Sequence, residues 1–148
     1  MNISNAIDSV SSTANLFKNM LSKLIQDKST EPLFQAFTAG KSEQTLTLLS
    51  HFIAQYQQLG DIYLYPTKSM LGIGIGDRRV AWITQLGKRF VHVVFPFTQP
   101  YNDNLCFQKI APVPGDVHQF NHHFRMLAAE DVNEEVLQFM RLSLQPDK

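Results

Sequence analysis

Residues 62–97 read IYLYPTKSMLGIGIG, DRRVAWITQLG and KRFVHVVFPF in succession. Each run is rich in β-branched and aromatic residues, and Gly76-Asp77 and Leu86-Gly87 supply short, turn-competent breaks between them. Three strands joined by two tight turns make an antiparallel meander. With two-residue loops at both breaks, Ile75 faces Arg78, Ile73 faces Val80 and Leu71 faces Trp82. Beyond the second break, Trp82 faces Val91, Val80 faces Val93 and Arg78 faces Phe95. Side chains alternate along a strand. Leu71, Ile73, Ile75, Val80, Trp82, Val91, Val93 and Phe95 therefore form one apolar face that helices must cover. Lys68, Met70, Gly72, Gly74, Arg79, Ala81, Ile83, Gln85, Lys88, Phe90, His92 and Val94 fall on the other, mixed face. A one-residue slip at either turn would exchange the faces.

Downstream, residues 105–110 read as a short strand, PVPG at 112–115 as a turn, and VHQFNHHFRM at 117–126 as another strand. In the last, Gln119, Asn121, His123 and Arg125 share one side, while His118, Phe120, His122 and Phe124 share the other. Residues 129–144 form a closing helix, opened by Asp131 and Glu134 as an acidic variant of the capping box. Val132, Val136, Phe139, Met140 and Leu144 are its buried stripe.

Upstream, Ile3, Ile7, Val10, Ala14, Phe17, Leu21 and Leu24 alternate at spacings of four and three, a heptad-like stripe on one helix. It either lies on its own domain or pairs with a second copy. Thr30-Glu31-Pro32 opens a short helix that ends near Gly40. Ser42 caps a helix over 43–59, and Gly60 is placed to stop it in a left-handed conformation. The fold class is α+β: an antiparallel sheet of about five strands with helices packed on it, in the order ααα-βββββ-α. Residues 1–28 are an N-terminal amphipathic extension and 29–148 a single domain.

The chain has 148 residues, enough for a real core, and balances 13 basic against 13 acidic side chains. A dedicated polyanion binder is usually basic, so neutrality argues against nucleic acid. Cys106 is the single cysteine, which excludes an internal disulfide and fits a reducing compartment. No apolar run approaches the ~18 residues of a membrane span, and the N-terminus lacks a signal-peptide pattern. The expected location is the cytoplasm.

Catalytic signatures are lacking. Gly72, Gly74 and Gly76 spell G-x-G-x-G, but a turn and a strand follow where a phosphate loop needs a helix. The glycines instead let something approach the sheet closely. His118 and His122 lie ~13 Å apart along a strand, too far to share one ion. Only His92 can meet a downstream histidine across strands. No metal site, cofactor or catalytic set is expected, and Cys106 has no flanking signature of a nucleophile.

From about Pro32 to the C-terminus the chain resembles an uncharacterised bacterial domain family of unknown function. FTAGKSEQTLTLLSHFIAQYQQLG is similar to that family's opening helix and YPTKSMLGI to its lysine-bearing strand. CFQKIAPVPGDVHQFNHHFRM with AEDVNEEVLQFMRLSL resembles its closing strand pair and helix. The family is distantly similar to bacterial frataxin-like domains. The resemblance implies an α+β fold and no settled activity. Frataxin-type iron binding uses an acidic helix ridge, and here the second and third helices offer little beyond Glu31 and Glu43.

The functional expectation is a non-catalytic module that binds a small molecule or a protein, without nucleic acid or membrane, and with a homodimer through residues 1–28 as one arrangement. Lys68, Met70, Gly72, Gly74, Arg79, His92, His123 and Arg125 are its candidate ligand-binding residues. The alternatives are an enzyme acting on a small anionic metabolite through Lys68 and a histidine, and iron binding. Gly72, Gly74 and Ala81 would leave a trough, and the N-terminal helix is the expected cover.

Overall fold

The computed structural model describes residues 3–146, with side chains from Thr13 onward. Helices α1 (Ile3–Ser22), α2 (Glu31–Thr38) and α3 (Glu43–Leu59) come first. Strands β1 (Tyr63–Pro66), β2 (Leu71–Ile75), β3 (Arg78–Leu86), β4 (Val91–Phe97), β5 (Lys109–Val113) and β6 (Asp116–Met126) follow, and α4 (Glu134–Leu144) closes the chain. The strands form one antiparallel sheet in the order β1-β2-β3-β4-β6-β5. The α+β class and the order of elements match the sequence reading; the sheet has six strands rather than five, because Thr67–Met70 is a turn that splits the first run.

The register departs from expectation in two places. The Gly76-Asp77 turn sets Ile75 opposite Arg78 as read, but a bulge then pairs Gly74 with Arg79 and Ile73 with Ala81. The extra residue, Val80, stays buried, and Trp82 moves to the opposite face from the one assigned to it. The second turn has four residues, with the Gly87 N–H bonded to the Phe90 carbonyl at 2.9 Å. Leu86 pairs with Val91, and a second bulge at Thr84 pairs Ile83 with Val93. Ala81 and Ile83 therefore join the core instead of the mixed face. A bulge adds one residue to one strand and reverses the alternation beyond it, which a two-residue-turn reading cannot anticipate.

The core lies between the helices and the inner sheet face. Phe52 of α3 is its centre, in ring contact with Tyr56, Phe95 and Phe124. The Tyr56 hydroxyl donates to Ser143 Oγ at 2.6 Å, and Ser143 in turn donates to the Met140 carbonyl. Burial holds the Tyr56 phenol far above its ordinary pKa, so this link between α3 and α4 stays protonated. Ser42 caps α3 by accepting from Thr45 N–H at 3.1 Å and also donates to the Lys88 carbonyl at 2.7 Å, which docks the β3–β4 turn on the helix. Gly60 is extended rather than left-handed; a Cβ there would meet Leu144 at 3.1 Å. α4 is capped by Asn133, not Asp131, whose carboxylate instead accepts from Leu127 and Ala128 N–H before a short 3-10 turn. β5 begins four residues later than read, at Lys109.

The N-terminal helix packs on α3, with Leu21 and then Ile25 buried in the common core. Ile3, Ile7 and Val10 lie outside the residues whose side chains are described. The chain beyond α1 runs beside β1: Leu64 N–H bonds to the Leu24 carbonyl at 2.9 Å and Gln26 N–H to the Leu64 carbonyl at 3.3 Å. Leu21 therefore belongs to the helix side of the sheet and does not cover the outer face, contrary to the trough expectation.

Candidate functional site

Among the described residues no helix packs on the outer sheet face; its covering comes from the strands themselves. Tyr63 lies opposite Gly74, and Tyr65 and Trp82 lie opposite Gly72 from either side. A Cβ at Gly74 would overlap the Tyr63 ring, and one at Gly72 would meet Trp82 at 2.9 Å. The glycines thus seat cross-strand aromatic rings, which restores the apolar contact that a glycine pair forgoes. This is the close approach that the G-x-G-x-G pattern signalled, and Trp82 fills much of the trough expected there.

Two arginines extend the surface by stacking. The Arg79 guanidinium sits 3.8 Å from the Tyr65 ring centroid and that of Arg125 4.4 Å from Phe90. Such cation–ring contacts contribute about 0.5–1 kcal/mol when exposed. Between them, His92 on β4 meets His123 on β6, with Nε2 and Nδ1 2.9 Å apart. One imidazole must donate and the other accept, so the two rings cannot both be imidazolium and keep their bond. Burial depresses both pKa values; His123 and Arg125 add to the effect at His92, and Lys109 adds to it at His123. Both rings are therefore neutral at pH 7. His92 Nδ1 is buried and makes no hydrogen bond.

A shallow groove of about 340 Å³ runs beside this pair, lined by Met70, Trp82, Thr84, Val94, Pro96 and others, with Gln119, Asn121 and His123 as its polar edge. Seven of the eight candidate residues thus fall on one face: Met70, Gly72, Gly74, Arg79, His92, His123 and Arg125. Lys68 does not join them. It sits exposed in the β1–β2 turn, and β3 separates that hairpin from His92. The reading missed Tyr63, Tyr65 and Trp82. Tyr63 and Tyr65 alternate about Leu64 in the sequence, but a long strand that begins at Lys68, with Pro66 just before it, leaves those tyrosines without glycine partners.

A larger cleft of about 680 Å³ opens at the other end of β3 and β4, bordered by Arg78, Tyr101, Asp116, His118 and Ser143. Several of its polar groups are already engaged: Arg78 donates to the Leu144 carbonyl at 3.0 Å, Asp116 accepts from His118 N–H, and Gln99 donates to the Tyr101 hydroxyl. Burial, reinforced by Glu135, pushes the Cys106 thiol up to about 12, so it stays a thiol at neutral pH. Among the described residues no three His, Cys, Asp or Glu side chains converge as a metal site, and no helix is long and apolar enough to cross a membrane.

Comparison with protein-family models, curated proteins and solved structures finds no match.

Proposed function

We propose that the chain is a non-catalytic binding module that takes a planar, negatively charged ligand on the outer face of its sheet. One observation carries this reading: the face combines seated aromatic rings with Arg79 and Arg125, and the one acidic residue of the strands, Asp116, lies at the start of β6. A flat π-system can stack on Trp82, its polar edge can meet Asn121 or His123, and its charge can reach an arginine. An enzyme built on Lys68 and a histidine is the weaker reading, because Lys68 is exposed in its turn and does not line the groove that His123 borders. The distant frataxin-like relationship remains a proposal about ancestry and adds no ligand.

The protein's one tryptophan makes the test direct. Titration with a panel of planar aromatic anions, adenosine monophosphate among them, should quench Trp82 fluorescence saturably. A ligand at 100 times its Kd should add about 2.7 kcal/mol of stability. Arg79 and Gln119 also border the Arg78–Ser143 cleft, so ligand-induced amide shifts at Tyr101, His118 and Ser143 with none at Trp82, Asn121 or His123 would sink the reading.

Self-association is a second proposal, and it rests on the helix layer. Leu16 and Met20 lie one turn apart on α1 and are 56% and 55% exposed, with Leu33 of α2 also exposed. Paired apolar side chains on one helix suit a second copy of the same helix. Leu16→Glu with Met20→Glu should turn a dimer into a monomer in sedimentation equilibrium while leaving the circular dichroism unchanged. A parent that sediments as a monomer at high concentration removes the proposal.

A further inference from the structure

We propose that the ligand of the outer face is single-stranded nucleic acid, laid across the strands from Arg79 to Arg125 with one base seated in the Trp82 groove. This rests on the outer-face reading above and adds the identity of the occupant.

The first argument is the distribution of charge. The neutral total averages two unlike surfaces. Across all six strands the only acidic residue is Asp116, at the start of β6, whereas Arg78, Arg79, Lys109 and Arg125 are basic. The other acidic residues among those described lie on helices, turns and loops. A polyanion approaching the strands therefore meets one like charge, Asp116, in the cleft that Arg79 also borders, against four cations, and local potential governs the encounter more than the total does.

Spacing is the second argument. Arg79 pairs with Gly74 near the β2–β3 turn, and Arg125 pairs with His92 near the opposite end of β4. Two strand steps of ~4.8 Å and about five residues of ~3.3 Å separate them, roughly 20 Å along the diagonal. Lys109, opposite His123, lies on the β5 edge. Arg125 and Lys109 are diagonal neighbours, ~8 Å apart, so one phosphate or carboxylate can serve that pair but not Arg79 as well; a chain of phosphates can serve all three.

The third is the kind of surface between the cations. Single strands are held by stacking on aromatic rings along a positive track, and a base that has left its stack offers its edge to side-chain amides. Trp82 supplies the ring, Gln119 and Asn121 supply amides beside it, and the arginines stacked on Tyr65 and Phe90 keep their N–H edges for phosphate. A duplex is the poorer fit, since reading its major groove takes a projecting helix or ribbon and this face is a sheet.

The test is fluorescence anisotropy of the full chain with labelled dodecauridylate, its duplex with dodecaadenylate, and adenosine monophosphate as competitor. The single strand should bind more tightly than the duplex. Its log affinity should fall with log salt at a slope of about −2, the value for three phosphate contacts at ~0.7 each. Trp82→Ala should weaken binding by about 5- to 150-fold, the range for one stacked base. Arg125→Ser, at an exposed position, should reduce the salt slope by about 0.7 and guards against misfolding of the Trp82 variant. Arg141→Ala, on α4, should change nothing.

Failure of the oligonucleotide to bind more tightly than the monophosphate, while the monophosphate still quenches Trp82, overturns this proposal and leaves the small-ligand reading standing. Absence of binding by every planar anion removes both. Equal loss with Arg141→Ala and Arg125→Ser would mean that the attraction is non-specific, and that also overturns it.

Discussion

Phe52→Ala should cost about 3–5 kcal/mol, the range for emptying a buried phenylalanine site. Phe52 has no solvent exposure and holds α3 against β4 and β6 through Phe95 and Phe124. None of its neighbours can collapse into the space without leaving another contact. A domain of this size has ~5–15 kcal/mol of total stability, so the variant should sit close to unfolding. Urea titration followed by circular dichroism measures the loss. A change below 1 kcal/mol would mean that this aromatic cluster is not the centre of the core.

The second large effect is expected at His122. This ring has no solvent exposure and is enclosed by Phe97, Tyr101 and Phe107. Its Nδ1–H donates to the Phe120 carbonyl and its Nε2 accepts from Tyr101 N–H, each at 3.0 Å. Those two bonds define a neutral imidazole. The loop after β4 hangs on it, because Tyr101 also accepts from Asn104, which accepts from Phe107 N–H. His122→Ala removes both bonds and opens a cavity, at about 2–4 kcal/mol at pH 7.5.

The pH dependence gives an independent reading of the same residue. Burial holds the folded pKa of His122 below its ordinary value. As pH falls through ~6.5, the unfolded chain takes up a proton that the folded chain refuses, so stability declines. The decline ends once pH has passed the folded pKa. One such group can give at most about 1.4 kcal/mol per pH unit. His92 and His123 are lowered too and act in the same direction. Melting curves between pH 7.5 and 5 should therefore show a fall in the parent and a shallower one in His122→Ala. An identical slope in the two would mean that His122 titrates normally and that its bonds break without cost.

Periodicity carried most of the fold. The stripes of Leu46, Leu49, Phe52 and Ile53 and of Val136 and Met140 gave the helices, and all of these residues are buried. The faces of β4 were legible although its register was not, since Val91, Val93 and Phe95 have to lie inside whatever they pair with. Trp82 was misplaced because the bulge at Val80 depends on tertiary packing: with it, both Val80 and Trp82 find cover, one in the core and one on Gly72. A cross-strand contact between His92 and a downstream histidine was legible, but that the partner is His123 rather than His122 follows from the β4–β6 register. The rings over the glycines were not, because their seating follows from a turn at Thr67–Met70 that was read as part of a strand.

The order of the elements has a consequence during synthesis. Phe52 leaves the ribosome well before either of its sheet partners, since Phe95 and Phe124 follow it by 43 and 72 residues. At about 5–20 residues per second, the later partner arrives roughly 4–14 s after the helix is made. Through that interval the three leading helices have only one another to cover their apolar sides. The nascent chain therefore exposes the apolar residues of these segments until the strands arrive, and slow translation prolongs that exposure. A holdase that recognises amphipathic helices would meet its substrate before a single strand exists, and expression yield should respond to such a chaperone more than the stability of the finished fold would suggest.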